Sequence, residues 1–189
     1  MFEHVEMNST TNTSTSAAIV ARGLRKTYGQ NVVLEGIDLT IRDGEVFSLL
    51  GPNGAGKTTV VRILSTLIPA EAGVVSVMGH DLRGDPAAVR AVIGVTGQFS
   101  AVDDLLTGEE NLLLMGRLLH LGATDRRTRS SELLERFGLV EAARQTPATY
   151  SGGMKRRLDL AMTLMGRPRL IFLDEPTTGL DPRSRQTMW

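Results

Sequence analysis

One stretch decides the fold of this chain, and it reads Gly51-Pro52-Asn53-Gly54-Ala55-Gly56-Lys57-Thr58-Thr59. It fits the G-x-x-x-x-G-K-[ST] spacing of a phosphate-binding loop. The glycines let the backbone curl so that successive N–H groups point inward at phosphates. Lys57 supplies a point charge for the β- and γ-phosphates, and Thr58 supplies a hydroxyl for Mg²⁺. The stretch therefore predicts a site for the phosphates of a nucleotide.

The residues on either side of this loop favour the same interpretation over a chance match. Residues 46–50 read V-F-S-L-L, which predicts a buried strand entering the loop. After Lys57 the sequence predicts a helix ended by Pro69, because apolar residues recur at helical spacing. These residues are Val60, Val61, Leu64, Leu67 and Ile68. A strand, a loop and a helix in this order would place phosphates at a helix N-terminus.

Bulk composition limits the class of protein. The 189 residues favour one domain with a possible subdomain, and a hydrophobic content of 41% allows a sizeable core. The formal net charge of +0 gives no electrostatic reason to expect nucleic acid or an anionic membrane as a partner. The absence of cysteine excludes disulfides, cysteine-ligated zinc and thiol nucleophiles, and it suits the cytosol.

The N-terminal residues 1–16 are rich in Ser, Thr and Asn. They lack the apolar run of a signal peptide, and we expect a disordered tail, with Met7 as a second candidate start. Elsewhere no apolar stretch reaches the length of a membrane span, so work at a membrane would require a partner.

Alternating apolar residues and turn signals predict further elements. Strands are predicted over residues 17–29, 37–41, 74–78 and 92–96. Asp43-Gly44 is expected to turn the second of these into strand 46–50, as in a hairpin. One helix is predicted to begin at the capping box of Thr107 and Glu110 and to end at Gly122. A second is predicted over residues 131–137, closed by Gly138. Together they predict a helical insert.

A second chemical motif follows the apolar run Leu170-Ile171-Phe172-Leu173, which predicts a strand buried on both faces. Ligands of open parallel sheets bind beyond the carboxyl ends of the strands. We therefore expect Asp174 to hold Mg²⁺ opposite Thr58, and Glu175 to polarise an attacking water or accept its proton. The alternative, two ordinary surface acids, is disfavoured by the phosphate loop upstream.

A third motif is Tyr150-Ser151-Gly152-Gly153, which is predicted to open a helix. The apolar residues of that helix recur at Met154, Leu158, Ala161, Met162 and Met165. The N–H groups and positive end of such a helix form another anion site. The chain therefore carries two phosphate-binding features separated by a helical insert.

Taken in order, the phosphate loop, Gly97-Gln98, Ser-Gly-Gly and Leu-Asp-Glu-Pro resemble the ATPase subunit of an ATP-binding cassette (ABC) transporter over residues 19–189. The resemblance implies an α/β fold of the P-loop NTPase (RecA-like) type with an antiparallel β subdomain. The nucleotide-binding core would comprise residues 17–100 and 158–189. The inserted helical subdomain, with the signature motif, would comprise residues 101–157.

The resemblance also implies ATP and Mg²⁺ as ligands and a role for each motif residue. Tyr28 would stack on adenine, although an ordinary strand-end tyrosine is the alternative. Gln98 would sense Mg²⁺ and the γ-phosphate, with a plain polar loop residue as the alternative. Lys57, Gln98 and Glu175 would act in catalysis, and Thr58, Gln98 and Asp174 would contact the metal.

The family further implies a head-to-tail dimer that closes around two ATP molecules. The residues Ser151, Gly152 and Gly153 would contact ATP held by the opposite subunit. Asp181 would lie in the loop that crosses the dimer interface. This arrangement would explain why one chain needs two anion-binding features.

Three stretches, residues 95–100, 106–112 and 150–158, resemble drug exporters of the daunorubicin-resistance type within this family. This resemblance implies export of a hydrophobic compound through a separate integral-membrane permease subunit. The chain would then work in the cytoplasm, at the inner face of the cell membrane.

The chain departs from the family pattern at two places. Tyr150 and Met154 stand where the usual signature has Leu and Gln, and a methionine cannot hydrogen-bond as glutamine does. Trp189 ends the sequence before the expected switch loop with His or Gln, so we expect a C-terminally truncated cassette. The histidines His4, His80 and His120 lie in the wrong parts of the chain to replace that residue.

Two other functions remain open: a soluble cassette ATPase acting on ribosomes or nucleic acid, and a truncated nucleotide binder that does not hydrolyse ATP. A P-loop kinase would leave the Ser-Gly-Gly and Leu-Asp-Glu-Pro motifs without a role. The basic run Lys155-Arg156-Arg157 is best interpreted as a solvated helix face, so no nucleic acid is expected.

Overall fold

The structure, a computed structural model, describes residues 16–97 and 101–174. They belong to two compact units, one ending at Ile93 and one beginning at Gly94. The predicted tail, except for Ser16, lies outside the described residues. The candidate residues Gln98, Glu175 and Asp181 lie outside them as well.

The first unit contains an antiparallel four-stranded sheet in the order β2-β1-β3-β4. Its strands are β1 (Ala17–Tyr28), β2 (Asn31–Arg42), β3 (Ala72–Val77) and β4 (His80–Asp81). Two helices accompany the sheet, α1 (Lys57–Leu64) and α2 (Pro86–Val92). The predicted strands 17–29 and 74–78 are confirmed to within a residue or two, and the predicted strand 37–41 lies inside the longer β2.

Strand β1 is the centre of this sheet because it pairs with β2 on one side and β3 on the other. Its apolar residues Ile19, Ala21 and Leu24 are at most 1% exposed. The spacing between these buried residues changes from two to three after Ala21, where the pairing of β1 with both neighbours is irregular. Buried side chains from α1, Val60, Ile63 and Leu64, complete the apolar interior near β2.

Three predictions for this unit are wrong. Residues 46–50 form no strand, and Val46 and Leu50 are 65% and 47% exposed. An apolar run has the composition of a strand, but a strand also needs hydrogen-bonded neighbours, and neither sheet of the described residues includes this stretch. The predicted hairpin at Asp43-Gly44 is therefore absent from the described residues, and β2 pairs with β1 instead. Helix α1 ends at Leu64 rather than Pro69, because Thr66 takes a left-handed φ of 63°.

The second unit contains the two-stranded sheet of β5 (Ile93–Thr96) and β6 (Leu170–Leu173), together with helices. The α-helices are α3 (Gly108–Leu118), α4 (Ala123–Arg136) and α5 (Gly152–Thr163). Short 3-10 helices span Val140–Ala142, Pro147–Thr149 and Leu164–Gly166. The three α-helices pack around one apolar cluster, whose members include Leu112, Leu133, Leu134, Leu139, Leu158 and Met165.

Several details of this unit differ from the sequence predictions. Phe172 is the one buried residue of β6, and Ile171 is 39% exposed, so β6 is not buried on both faces. The exposure follows from the narrow sheet, in which β5 is the one neighbour of β6 among the described residues. Gly122 does not end α3; it is the N-cap of a longer α4, and His120 takes the left-handed conformation after α3 with a φ of 57°.

Candidate nucleotide-binding site

The phosphate loop leads directly into α1, and its conformation depends on glycine. Gly54 and Gly56 have φ values of 83° and 88°, which side chains other than glycine rarely adopt. A Cβ atom on Gly56 would lie 2.7 Å from Cδ2 of Leu34 and 3.1 Å from the carbonyl oxygen of Val33. Residue 56 must therefore be glycine for two reasons, its backbone conformation and its close approach to β2.

Lys57 ties the two ends of the loop together. Its Nζ atom donates hydrogen bonds of 2.8 Å to the carbonyl oxygens of both Gly51 and Pro52. The amide of Ala55 donates to the same Pro52 carbonyl at 3.2 Å, which closes the turn. An ammonium group has three donors, so one donor of Lys57 is left for a phosphate oxygen.

The start of α1 suits an anion. The first N–H groups of any helix have no partner within the helix, and the N-cap Gly56 has no side chain with which to accept from them. No acidic residue lies in the first turn to offset the positive end of the helix dipole. A curled glycine loop, a held ammonium and a helix N-terminus without acidic residues in its first turn together fit the phosphate groups of a nucleotide.

Tyr28 is the last residue of β1, and its side chain is largely accessible, with the residue 48% exposed. The Nζ atom of Lys26 lies 5.5 Å from the centre of its ring, and the same atom donates to the Pro69 carbonyl oxygen at 3.0 Å. One flat ring is therefore presented to solvent beside a held cation. This geometry is compatible with stacking on a base.

Ser151 is the N-cap of α5, as its sequence predicts. Its hydroxyl oxygen accepts a 3.2 Å hydrogen bond from the amide of Met154. Among the residues that the structure describes, no atom lies within 4 Å of a Cβ atom placed on Gly152. The substitution of Met for the usual Gln leaves this cap intact because the cap uses the backbone of Met154.

Tyr150, the other departure from the signature, is a buried core residue of the second unit. Its hydroxyl donates to the carbonyl oxygen of Ala142, and burial raises the pKa of the phenol above its ordinary value. A Cβ atom on Gly108 would lie 2.3 Å from that hydroxyl. The tyrosine side chain therefore packs closely against Gly108 and bonds to Ala142 just before α5 begins.

Asp174 follows β6 directly, and its amide donates a 3.1 Å hydrogen bond to the carbonyl oxygen of Thr96 at the end of β5. The sheet therefore positions the backbone of this acid. Within residues 16–97 and 101–174, no three acidic or histidine side chains gather as a metal site. Mg²⁺ bound with a nucleotide needs only one or two protein ligands beside phosphate oxygens, so Thr58 and Asp174 remain predictions.

The sequence analysis missed several buried polar residues, and two of them, Asn111 and Asp159, hold other parts of the chain. Asn111 is 0% exposed and lies in an apolar run, and its position four residues after the N-cap Thr107 was the available signal. Asp159 is 4% exposed within α5, where the helix pattern gave no reason to single it out.

Comparison with known proteins identifies the family. A family model described as ABC transporter matches residues 34–178, most of the chain. The chain belongs to the ABC transporter family. The expected α/β P-loop fold is confirmed by this match and by a solved structure, "Structure of ATP binding subunit of ABC transporter". That structure has a TM-score of 0.75 and 27% sequence identity, and the match covers 90% of this chain and 71% of that one.

Relatives within the ABC transporter family confirm the resemblance to daunorubicin-resistance proteins. The doxorubicin resistance ATP-binding protein DrrA of Mycobacterium tuberculosis is 55% identical over 174 residues, 91% of this chain and 53% of that protein. The daunorubicin/doxorubicin resistance ATP-binding protein DrrA of Streptomyces peucetius is 49% identical over 178 residues, 94% of this chain and 54% of that protein. The linearmycin resistance ATP-binding protein LnrL of Bacillus subtilis is 40% identical over 165 residues, 87% of this chain and 53% of that protein.

The chain spans about half the length of the curated relatives it matches. Across the part of the chain that the structure describes, no helix combines the length and apolar character needed to cross a membrane.

Proposed function

We propose that this chain binds and hydrolyses ATP and thereby powers export of a drug or other hydrophobic compound through a separate membrane permease. The observation that carries the proposal is the loop of residues 51–57, in which Lys57 is held by two loop carbonyls at the start of α1. Three relatives are named as doxorubicin, daunorubicin and linearmycin resistance ATP-binding proteins. These names support export as the purpose of the hydrolysis.

In this function the described residues would divide the work of binding ATP. The loop amides and the Lys57 ammonium would hold the β- and γ-phosphates, and the exposed ring of Tyr28 would stack on adenine. Thr58 and Asp174 would hold Mg²⁺, which when bound neutralises charge that develops on the phosphates. Glu175 would orient the attacking water and accept its proton, with Gln98 beside the γ-phosphate.

Two chains would complete each other's sites in the proposed mechanism. Residues Ser151, Gly152 and Gly153 would approach the γ-phosphate bound by a second cassette, and Asp181 would lie at the same interface. The positive end of α5 supports this role, as does the lack of any atom of the described residues within 4 Å of a Cβ placed on Gly152. Such a pair, docked on a permease, would work at the cytoplasmic face of the membrane.

Lys57→Met tests the binding step. It keeps a long apolar stem but removes the ammonium, so affinity for MgATP, measured by titration calorimetry on the full chain, should fall by about tenfold or more. The matched control is Arg136→Ala, which removes one exposed positive charge from the end of α4 and should leave affinity unchanged. Equal affinity in wild type and Lys57→Met would contradict the proposal.

Glu175→Gln tests hydrolysis separately from binding. The amide cannot accept the proton of water, so MgATP should still bind while turnover by the complete protein with its permease falls by about 100-fold or more. Turnover at the wild-type rate would remove Glu175 from the mechanism. Co-purification of the wild-type protein with ribosomes rather than a multi-span membrane protein would instead favour a soluble cassette ATPase.

A further inference from the structure

A buried carboxylate in α5 holds the chain beyond residues 98–100. Asp159 is 4% exposed, and its Oδ1 atom accepts a 3.2 Å hydrogen bond from the amide of Ala101. Its Oδ2 atom accepts a 2.8 Å hydrogen bond from Nη1 of Arg156, whose side chain is 13% exposed. Burying a charge is costly unless it is paired, and a helix needs no carboxylate at this position. We therefore look for the role of Asp159 in its contact with Ala101, outside α5.

The segment that begins at Ala101, residues 101–107, is fastened at further points. Lys155 of α5 forms a 2.8 Å ion pair with Asp104. From α3, the amide side chain of Asn111 accepts from the amide of Asp103 and donates to the carbonyl oxygens of Asp103, Leu106 and Thr107. The 101–107 segment is thus a fixed bridge between α3 and α5.

The same helix also contacts the chain before residues 98–100. Oγ1 of Thr163, one turn after Asp159, lies 3.1 Å from Oγ1 of the buried Thr96 and donates to the Asp159 carbonyl oxygen. The carbonyl oxygen of Thr96 in turn accepts from the amide of Asp174. Helix α5, which starts at the signature serine, therefore connects to Ala101 on one side and to the backbone of Asp174 on the other.

We propose that Asp159 is a positioning residue, which fixes the 101–107 segment to α5 so that the N-terminus of α5 and the segment move as one body. This inference rests on the proposed function, because the N-terminus of α5 is where Ser151 would meet a second cassette's ATP. Such contacts require placement to within about 0.5 Å. Loss of the Asp159 contacts should therefore weaken turnover while leaving ATP binding by the loop of residues 51–57 intact.

The test compares Asp159→Ala with Asp159→Asn in the complete protein and its permease. Alanine removes both contacts, whereas asparagine keeps an oxygen that can accept from the Ala101 amide but loses the charge facing Arg156. The matched control is Glu135→Gln, which neutralises an exposed acid on α4. Amide hydrogen exchange at Ala101 and steady-state ATPase kinetics are measured together with the MgATP dissociation constant.

We expect exchange at Ala101 to rise by about tenfold or more in Asp159→Ala, and to rise less in Asp159→Asn. We expect kcat to fall by about tenfold in Asp159→Ala while the dissociation constant for MgATP changes by less than about twofold. Unchanged exchange at Ala101, or equal losses of binding and turnover in Asp159→Asn, would overturn the inference. Failure of the wild-type protein to bind MgATP would instead defeat the proposed function, and the exchange result would still report on the Asp159 contact.

Discussion

The hydroxyl of Tyr150 donates a 2.6 Å hydrogen bond to the backbone carbonyl of Ala142 inside the helical cluster of the second unit. Because Tyr150 directly precedes Ser151, this bond fixes the chain at the entrance to α5. Gly108, at the start of α3, leaves the space that the hydroxyl occupies. A leucine in this position would fill the apolar volume but would not donate to Ala142.

Tyr150→Phe should destabilise the protein. The ring and its packing remain, and the carbonyl oxygen of Ala142 keeps its 2.9 Å hydrogen bond from the amide of Gln145, so losing the phenol donor should cost about 0.5–1.5 kcal/mol. Urea unfolding measures the change as a lower midpoint with an unchanged slope. The control is Tyr28→Phe at an exposed position, where the change should stay within about 0.5 kcal/mol. Equal losses of stability in the two variants would show that the hydrogen bond from Tyr150 to Ala142 does not stabilise the protein.

The raised pKa of Tyr150 predicts a loss of stability in alkali. Burial favours the neutral phenol, so the folded protein holds this proton more tightly than the unfolded chain does. The contribution is complete below the ordinary tyrosine pKa of about 10 and is lost as pH rises through the higher pKa of the folded state. The difference between the unfolding free energies of wild type and Tyr150→Phe should therefore be constant up to about pH 10 and narrow above it. A difference that stays constant in alkali would show that burial does not raise the pKa of the phenol.

Asn111→Leu should be the most destabilising of the variants considered. Leucine has a similar size, but it leaves the amide of Asp103 and three carbonyl oxygens of residues 103–107 without the Asn111 side chain. We expect a cost of about 2–4 kcal/mol and faster proteolysis within residues 103–107. Asn31→Ser, at an exposed residue of β2, is the control and should change stability by less than about 0.5 kcal/mol.

The capping box of α3 predicts a loss of stability in acid. Hydrogen bonds from the Thr107 amide, and then from its hydroxyl, lower the pKa of Glu110. Since the pKa is lower in the folded state, the contribution is present above the ordinary glutamate pKa of about 4.3 and disappears as pH falls through the folded value. Wild type should therefore be more stable than Thr107→Ala at neutral pH, and part of that difference should vanish in acid. If the difference in stability stays constant with pH, the ionised Glu110 carboxylate does not contribute to the stability of the cap.

Gly56→Ala should damage the phosphate loop itself. The new Cβ would meet the side chain of Leu34 at 2.7 Å while the backbone holds a φ of 88°, and such strain costs about 1–3 kcal/mol. Because the loop must shift to relieve the strain, MgATP affinity should fall as well. Gly122→Ala is the matched control, since that glycine has a φ of −59° and a Cβ there would approach Asp125 no closer than 3.5 Å. If both alanine variants lose stability equally, the strain at residue 56 is not the cause.

Local signals in the sequence predicted the elements that local contacts create. The start of α1, the Thr107 capping box and the Ser151 N-cap each depend on residues within four positions of one another, and all are present. Predictions failed where the outcome depends on distant partners. The strand expected over residues 46–50 belongs to neither sheet of the described residues.

Side-chain contacts across the chain lay further beyond the reach of sequence reasoning. The bond from Ala101 to Asp159 joins residues 58 positions apart, and nothing in either neighbourhood signals it. Gly122 shows a subtler limit, since a glycine between two helices suits the end of the first or the start of the second. The left-handed conformation of His120 decides the matter by ending α3 first.

The place of β1 between β2 and β3 has a consequence for the order in which the first unit assembles. β2 follows β1 almost at once, so this pair can form early, whereas Ile19 must find Val77 from far along the chain. The phosphate loop and α1 lie in the segment between β2 and β3, whose ends are brought together when β3 pairs with β1. We expect their frame to become rigid only when β3 joins the sheet, so that a nucleotide bound in the loop would slow the departure of β3 during unfolding.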